Sequence, residues 1–139
     1  MALELLSGLC NVGRLQMSTF GQCSLTAQTV IVAGETSGGL DGYSNAGGSD
    51  IFIIKLNSGG TWQWTLQTGS SSDDTVSCLH MDSAGAILVS GETQGDLSGN
   101  VNAGGNDAYV MKVNGAGSLL WTVQRGFSGL QFIAVFFRV

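Results

Sequence analysis

Hydrophobic residues in this chain occur in short runs and alternating stretches, separated by segments rich in glycine, serine and asparagine. The runs at residues 30–32 and 87–89 are branched, apolar and followed by glycine, which is typical of buried β-strands. The local signals are those of strands throughout. The predicted strands are residues 30–32, 50–56, 62–69 and 75–81, followed by 87–89, 107–113 and 119–126.

The strand predicted at residues 50–56 is apolar on both faces. Ile51 and Ile53 precede Lys55 on one face, and alternation with a period of two places further apolar side chains on the other. A strand that is apolar on both faces belongs to a sheet sandwiched between neighbours. The residues of that second face, with their counterparts in the later strand, are Phe52, Ile54, Leu56, Tyr109, Met111 and Val113.

An internal repeat organises these strands. Residues 34–72 align without a gap with residues 91–129 at an offset of 57, and 19 of the 39 aligned pairs are identical. Residues 27–34 continue the register over residues 84–91. Four short strands per period, stacked against neighbouring units, predict an all-β fold: a partial β-propeller of about two four-stranded antiparallel blades.

The repeat also predicts the boundaries of the chain's segments. Residues 1–25 are expected to form a non-repeat N-terminal segment, and residues 26–129 the propeller repeats, divided into 34–90 and 91–129. The apolar tail, residues 130–139, contains the stretch that lies in register over the predicted fourth strand, so we expect it to serve as a substitute outer strand or to be non-native sequence.

Composition narrows the class of protein. The chain of 139 residues has 22 glycines, no proline, 43% hydrophobic residues and a net charge of −5. These values exclude a polar disordered tail and collagen, and the scarcity of basic residues argues against nucleic-acid binding. No apolar run is long enough to span a membrane. Three cysteines without close pairs (Cys10, Cys23 and Cys78) are expected to be small buried hydrophobes.

The glycine-rich loops at residues 35–49 and 92–106 carry the candidate chemistry. They lack phosphate-binding motifs and lead into strands, so no nucleotide or other cofactor is predicted. Their oxygen-bearing side chains are expected mainly to form Asx-turns, and a loop-binding or calcium role is the alternative. No metal site is assigned and no catalytic residue is predicted, since His80 is a lone histidine. The loop residues concerned are Glu35, Asn45, Asp50, Glu92, Asn102 and Asp107.

Two tryptophans recur at one position of the repeat. Trp64 and Trp121 are expected to be buried structural anchors between blades, and the recurring Lys55 and Lys112 are grouped with them. Trp62 differs, because leucine takes its place in the second repeat. Stacking on sugars is the alternative use of these rings.

Four features of the second repeat together resemble the SBBP type of β-propeller repeat. They are the segment from Gly85 through Val-Ser-Gly-Glu-Thr93, the Asn-Ala-Gly-Gly-x-Asp of residues 102–107, Lys112, and the Trp-Thr-x-Gln-x-Gly of residues 121–126. The resemblance covers roughly residues 26–129. It implies a non-enzymatic propeller blade from a large repetitive protein, and it suggests an extracellular or cell-surface location. It brings no shared catalytic residues.

We therefore expect a structural or interaction module with a protein or glycan partner. A lectin-like or calcium-assisted ligand-binding propeller is the alternative. Two repeats are too few to close a ring of about four to eight blades, so further blades or self-association are expected to complete the module.

Overall fold

The computed structural model describes residues 22–26 and 29–126, with side chains from residue 29 onward. Every regular element in these ranges is a strand, so the predicted all-β class is confirmed. The N-terminal 21 residues and the tail predicted as an outer strand lie outside the described residues. The elements are β1 (Gln22–Thr26), β2 (Thr29–Thr36), β3 (Asp50–Asn57), β4 (Trp62–Thr68), β5 (Cys78–Met81), β6 (Ile87–Thr93), β7 (Asp107–Val113) and β8 (Leu119–Arg125).

The strands form two antiparallel sheets of the same design. The first sheet has the order β1-β2-β3-β4 and the second the order β5-β6-β7-β8, so each strand pairs with its neighbour in sequence. The strand predicted at residues 75–81 begins at Cys78 and pairs with β6 of the next sheet. The last strand of one sequence period is therefore the first strand of the following sheet.

Short hairpins join the third and fourth strands, and glycine makes them tight. Asn57 and Thr61 close a three-residue loop in which Gly60 has a φ of 80°. Asn114 and Ser118 close an equivalent loop around Gly117, whose φ is 89°. A three-residue hairpin needs a left-handed residue at this position, and glycine adopts that conformation without a steric penalty. Both turns thus place a glycine where the backbone has a positive φ.

The first sheet begins four residues before the boundary expected at residue 26, because β1 starts at Gln22. The β1–β2 turn holds two residues, between Thr26 and Thr29, whereas the β5–β6 turn holds three, between Asp82 and Ala86. The first strand therefore matches its counterpart at an offset of 56 rather than 57. An alignment without gaps loses the repeat at this point.

A β-bulge separates the two tryptophans of β4. Trp64 pairs with Lys55, but Leu56 pairs with Trp62, so one extra residue lies between the two pairs. Without the bulge, residues 62 and 64 would share a face. With it they lie on opposite faces of the sheet, and β8 has the same irregularity.

Each sheet has two faces. We call front the face that carries Lys55 and Trp64 in the first sheet and Lys112 and Trp121 in the second, and back the opposite face. The front of the first sheet and the back of the second pack together into one hydrophobic core. The fully buried front residues are Ile31, Ala33, Ile51 and Ile53, and the fully buried back residues are Ile87, Val89, Tyr109, Met111 and Val113. Each strand of this pair buries one face against the other sheet. The prediction that β3 is covered on both faces is not confirmed, because Phe52, Ile54 and Leu56 on its back are half-buried and no sheet among the described residues covers them.

The two sheets therefore pack in the same orientation, front to back. The residues on the front of the first sheet have their repeat counterparts, 57 positions later, on the front of the second sheet. That second front includes Leu88, Val110 and Val123 and is not covered by a sheet among the described residues. The first strands of the two sheets, β1 and β5, also contact each other. This is the relation of successive units in a repeat array, in which each unit meets its neighbour in the same way.

Candidate functional site

The first long loop, residues 37–49, is held by hydrogen bonds to its own polar side chains. Asn45 accepts from the Gly47 amide at 3.0 Å and donates to the carbonyls of Thr36 and Gly48. Asp50 is buried and accepts from the Ala46 amide at 2.9 Å. The Asn45 contact is an Asx-turn, in which the side chain satisfies the backbone two residues on.

The second long loop, residues 94–106, repeats this pattern. Asn102 accepts from the Gly104 amide at 2.6 Å, and its amide group donates to the Gly105 carbonyl. Asp107 accepts from the Ala103 amide at 2.9 Å. The same residue types thus make the same side-chain hydrogen bonds in both repeats, although Gly104 and Gly105 have a positive φ and their counterparts Gly47 and Gly48 do not.

A buried glutamine fixes each loop against its sheet. Gln67 accepts from the Leu40 amide at 2.8 Å and donates to the Gly38 carbonyl and to Asp50, at 3.1 and 2.9 Å. Gln124 makes the corresponding three bonds to Leu97, Gly95 and Asp107. Sequence reasoning did not assign these glutamines a role, although their identity at one repeat position was a usable signal.

Glu35 and Glu92, which were predicted in the loops, lie near the ends of β2 and β6 and have different partners. Glu35 accepts from the backbone amide of Val76 at 3.0 Å, in the connection between the sheets. Glu92 accepts from the side-chain amide of Asn106 at 2.8 Å. Within the described residues, no group of three or more His, Cys, Asp or Glu side chains is arranged to hold a metal ion.

The connection between the sheets carries a buried polar cluster. Asp74 is fully buried and accepts from the Ser70 amide at 2.6 Å. Tyr109 donates its hydroxyl to the Thr75 carbonyl at 2.8 Å. Burial, reinforced by the negative charges of Asp74 and Glu35, raises the pKa of Tyr109 well above its ordinary value. The Tyr109 hydroxyl therefore stays protonated and keeps the second sheet attached to this connection.

Lys55 and Trp64 hold the two sheets together at their other end. The Lys55 ammonium and the Trp64 indole both donate to the Gly115 carbonyl, at 2.8 and 3.1 Å. The Trp64 ring also lies directly on Gly117, where a Cβ atom would come within 2.8 Å of the ring. The turn at residues 114–117 thus accepts hydrogen bonds from a lysine and a tryptophan of the preceding sheet, and we call a turn in this role the receptor.

The expected burial of Trp121 is wrong for this chain. Its side chain is 44% exposed, as are its neighbours Leu120 and Val123 at 53% and 45%. Among the described residues, the one ion-pair partner of Lys112 is the Asp82 carboxylate, at 3.9 Å. The physical reason is that these residues occupy the front of the second sheet, and no sheet among the described residues covers that front as the second sheet covers the first.

Trp62 and Cys78 also depart from simple expectation. Trp62 is 55% exposed on the back of the first sheet, whereas its repeat counterpart Leu119, on the back of the second sheet, packs against the core.

Cys78 is disulfide-bonded, so the prediction of three buried free cysteines is wrong at that position. The other two cysteines, Cys10 and Cys23, lie outside the residues whose side chains are described. His80 is half-buried on β5.

Comparison with known proteins gives one partial similarity. The chain is 34% identical over 65 residues to the regulatory protein FlaEY of Caulobacter vibrioides, a match that spans 45% of this chain and 7% of that protein. No family model matches the chain. Among the described residues, no helix is long and apolar enough to cross a membrane.

Proposed function

We propose that this chain is a non-catalytic repeat module of the β-propeller type, which acts as a structural or interaction segment of a larger repetitive assembly. The observation that carries the proposal is the front-to-back packing of two equivalent sheets, in which no further sheet among the described residues covers the back of the first or the front of the second. The contact between the first strands, β1 and β5, is compatible with blades that fan out from an axis.

The polar residues of the loops support a structural role. The side chains of Asn45, Asp50 and Gln67, with their counterparts, are already engaged by backbone amides and carbonyls. Their bonds define a fixed loop that recurs at the same place on each sheet. A partner would then meet the same surface once per repeat, and such a surface favours weak, multivalent contact.

The proposal is tested with arrays of two, four and seven copies of the 57-residue unit. We expect the free energy of unfolding to rise with each added unit, because every new sheet covers the open front of the one before. A flat series, in which added units leave that free energy unchanged, would contradict the proposal.

Binding measurements on the same arrays separate the two kinds of role. Titration against immobilised glycans is expected to give an apparent affinity that grows with the number of units, as multivalency requires. Tight calcium or glycan binding already present in the two-unit array would instead support a ligand-binding propeller. If no array binds a partner, the module is a spacer and only its structural role stands.

A further inference from the structure

The open front of the second sheet carries a second copy of the residues that hold the two sheets together. Lys112 and Trp121 are the repeat counterparts of Lys55 and Trp64, and both lie on this open face. We propose that they dock onto the open back of the first sheet of a second copy of this chain. This inference rests on the proposed function and names its partner.

The contact between the two sheets shows which kind of partner Lys112 and Trp121 would need. Lys55 and Trp64 converge on one backbone oxygen, the Gly115 carbonyl. The counterpart of Gly115 at an offset of 57 is Ser58, in the hairpin between β3 and β4. Ser58 is exposed, so its backbone is accessible to a second molecule.

The hairpin around Ser58 already has the receptor shape. Its backbone bonds from Gly60 to Asn57 and from Asn57 to Thr61 match those of the turn at residues 114–117. Gly60 has a φ of 80°, close to the 89° of Gly117. The two turns differ in what lies above them: Trp64 covers Gly117, whereas no described residue lies within 4 Å of a Cβ atom built at Gly60. The receptor shape is therefore formed, and none of the described residues occupies it.

Trp62 extends the same surface. It lies on the back of the first sheet and is 55% exposed, and its counterpart Leu119 packs against the core between the sheets. A docked sheet would cover Trp62 as the first sheet covers Leu119. Large aromatic side chains that become buried on association often contribute most of the binding free energy of an interface.

The donor pair and the receptor turn of one molecule do not contact each other. The donor pair lies on the front of the second sheet and the empty turn on the back of the first, on opposite outer sides of the packed pair. The contact is therefore heterologous: one face of a molecule meets a different face of the next, and repetition gives a ring or an open filament.

The test uses the full chain with one blocked surface at a time. Trp121→Ala removes the donor ring. Gly60→Asn obstructs the receptor, since asparagine tolerates a positive φ and its side chain would lie where the incoming ring must rest. Tyr43→Ala, in the first long loop, is the matched control for loss of an exposed aromatic residue. Circular dichroism verifies that each variant is folded.

Sedimentation velocity is measured from roughly 1 to 300 µM, the range in which exposed surfaces associate. The wild type and Tyr43→Ala are expected to exceed the 14.3 kDa of a monomer as concentration rises. Trp121→Ala and Gly60→Asn are each expected to associate at least about tenfold more weakly. An equimolar mixture of these two variants is expected to form a 1:1 dimer, because one retains the receptor and the other the donor.

Three results would overturn the inference. The first is a wild type that stays monomeric throughout. The second is undiminished association of Trp121→Ala, which would assign the contact to another surface such as residues 130–139. The third is a mixture of the two variants that yields no dimer. If arrays of linked units still gain stability while the wild type stays monomeric, the proposed function stands and only the docking of separate copies is wrong.

Discussion

The two sheets have the same strand order and matching side-chain hydrogen bonds in their long loops, yet their front faces have different surroundings. Trp64 on the first front lies against the turn at residues 114–117, whereas Trp121 on the second front is 44% exposed. Trp64 and Trp121 occupy equivalent positions in their sheets and differ in whether a neighbouring sheet covers them. A repeat position therefore fixes which face a side chain occupies, and the next unit decides whether that side chain is buried.

The largest expected effect contrasts these two tryptophans. Trp64→Ala is expected to lower the free energy of unfolding by about 3 kcal/mol, since it removes a packed ring and an indole hydrogen bond. Trp121→Ala is expected to cost less than about 1 kcal/mol in the monomer, as at other surface positions. Urea unfolding at low protein concentration measures both. Equal losses would mean that the two fronts have the same surroundings.

The loop glutamines provide the opposite contrast, because their bonds lie within one sheet. Gln67→Ala and Gln124→Ala are each expected to cost about 2–3 kcal/mol, since each leaves a backbone amide and a buried carboxylate short of a partner. Gln63→Ala, at an exposed position of β4, is the control and is expected to stay within about 0.5 kcal/mol. Unequal losses for the two buried glutamines would show that the loops are not equivalent.

The glycines of the two hairpins differ in what lies next to them. Gly60→Ala and Gly117→Ala both place a Cβ atom on a left-handed residue, which costs about 1 kcal/mol. Gly117→Ala also forces the Trp64 ring to move, and we expect it to cost about 1 kcal/mol more than Gly60→Ala. Thermal unfolding of the two variants tests this difference. A larger loss at Gly60 would contradict the open receptor.

The smallest effect concerns Tyr109 and its dependence on pH. Its pKa is raised in the folded protein, so the folded state keeps the proton that the unfolded chain loses above about pH 10. The stabilisation is complete below that pH and declines as the pH rises further. Tyr109→Phe is expected to cost about 1 kcal/mol at neutral pH and to unfold with a shallower alkaline decline.

Tyr43→Phe is the control for this measurement, since Tyr43 is exposed in a loop. Its alkaline unfolding curve is expected to follow that of the wild type. A Tyr109→Phe curve with the same slope as the wild type would mean that Tyr109 ionises as readily in the folded protein as in the unfolded chain.

Much of the fold could be predicted from the sequence because its signals are local. Alternating apolar residues define a strand over a few positions, and the glycine of a three-residue hairpin fulfils a requirement of its own backbone. The Asx-turn of Asn45 is equally local, since its amide partner is two residues away. Each of these features depends on neighbours in the chain.

The features that were missed depend on distant or absent neighbours. Gln67 bonds residues 27 and 29 positions away, so its role appears only when the loop folds back on the sheet. The first strand was missed because its turn is one residue shorter than its counterpart. The exposure of Trp121 depends on a covering sheet, about which its own sequence holds no information.

The strands of one sequence period are shared between two sheets, and this has a consequence for inheritance. A cut at any position within residues 27–72 can be joined to the position 57 residues away, and the product still has a complete first strand, long loop and hairpin in every sheet. Gain or loss of 57 residues by unequal recombination thus needs no favoured breakpoint. Such a gene can change its copy number while every surviving sheet keeps its register.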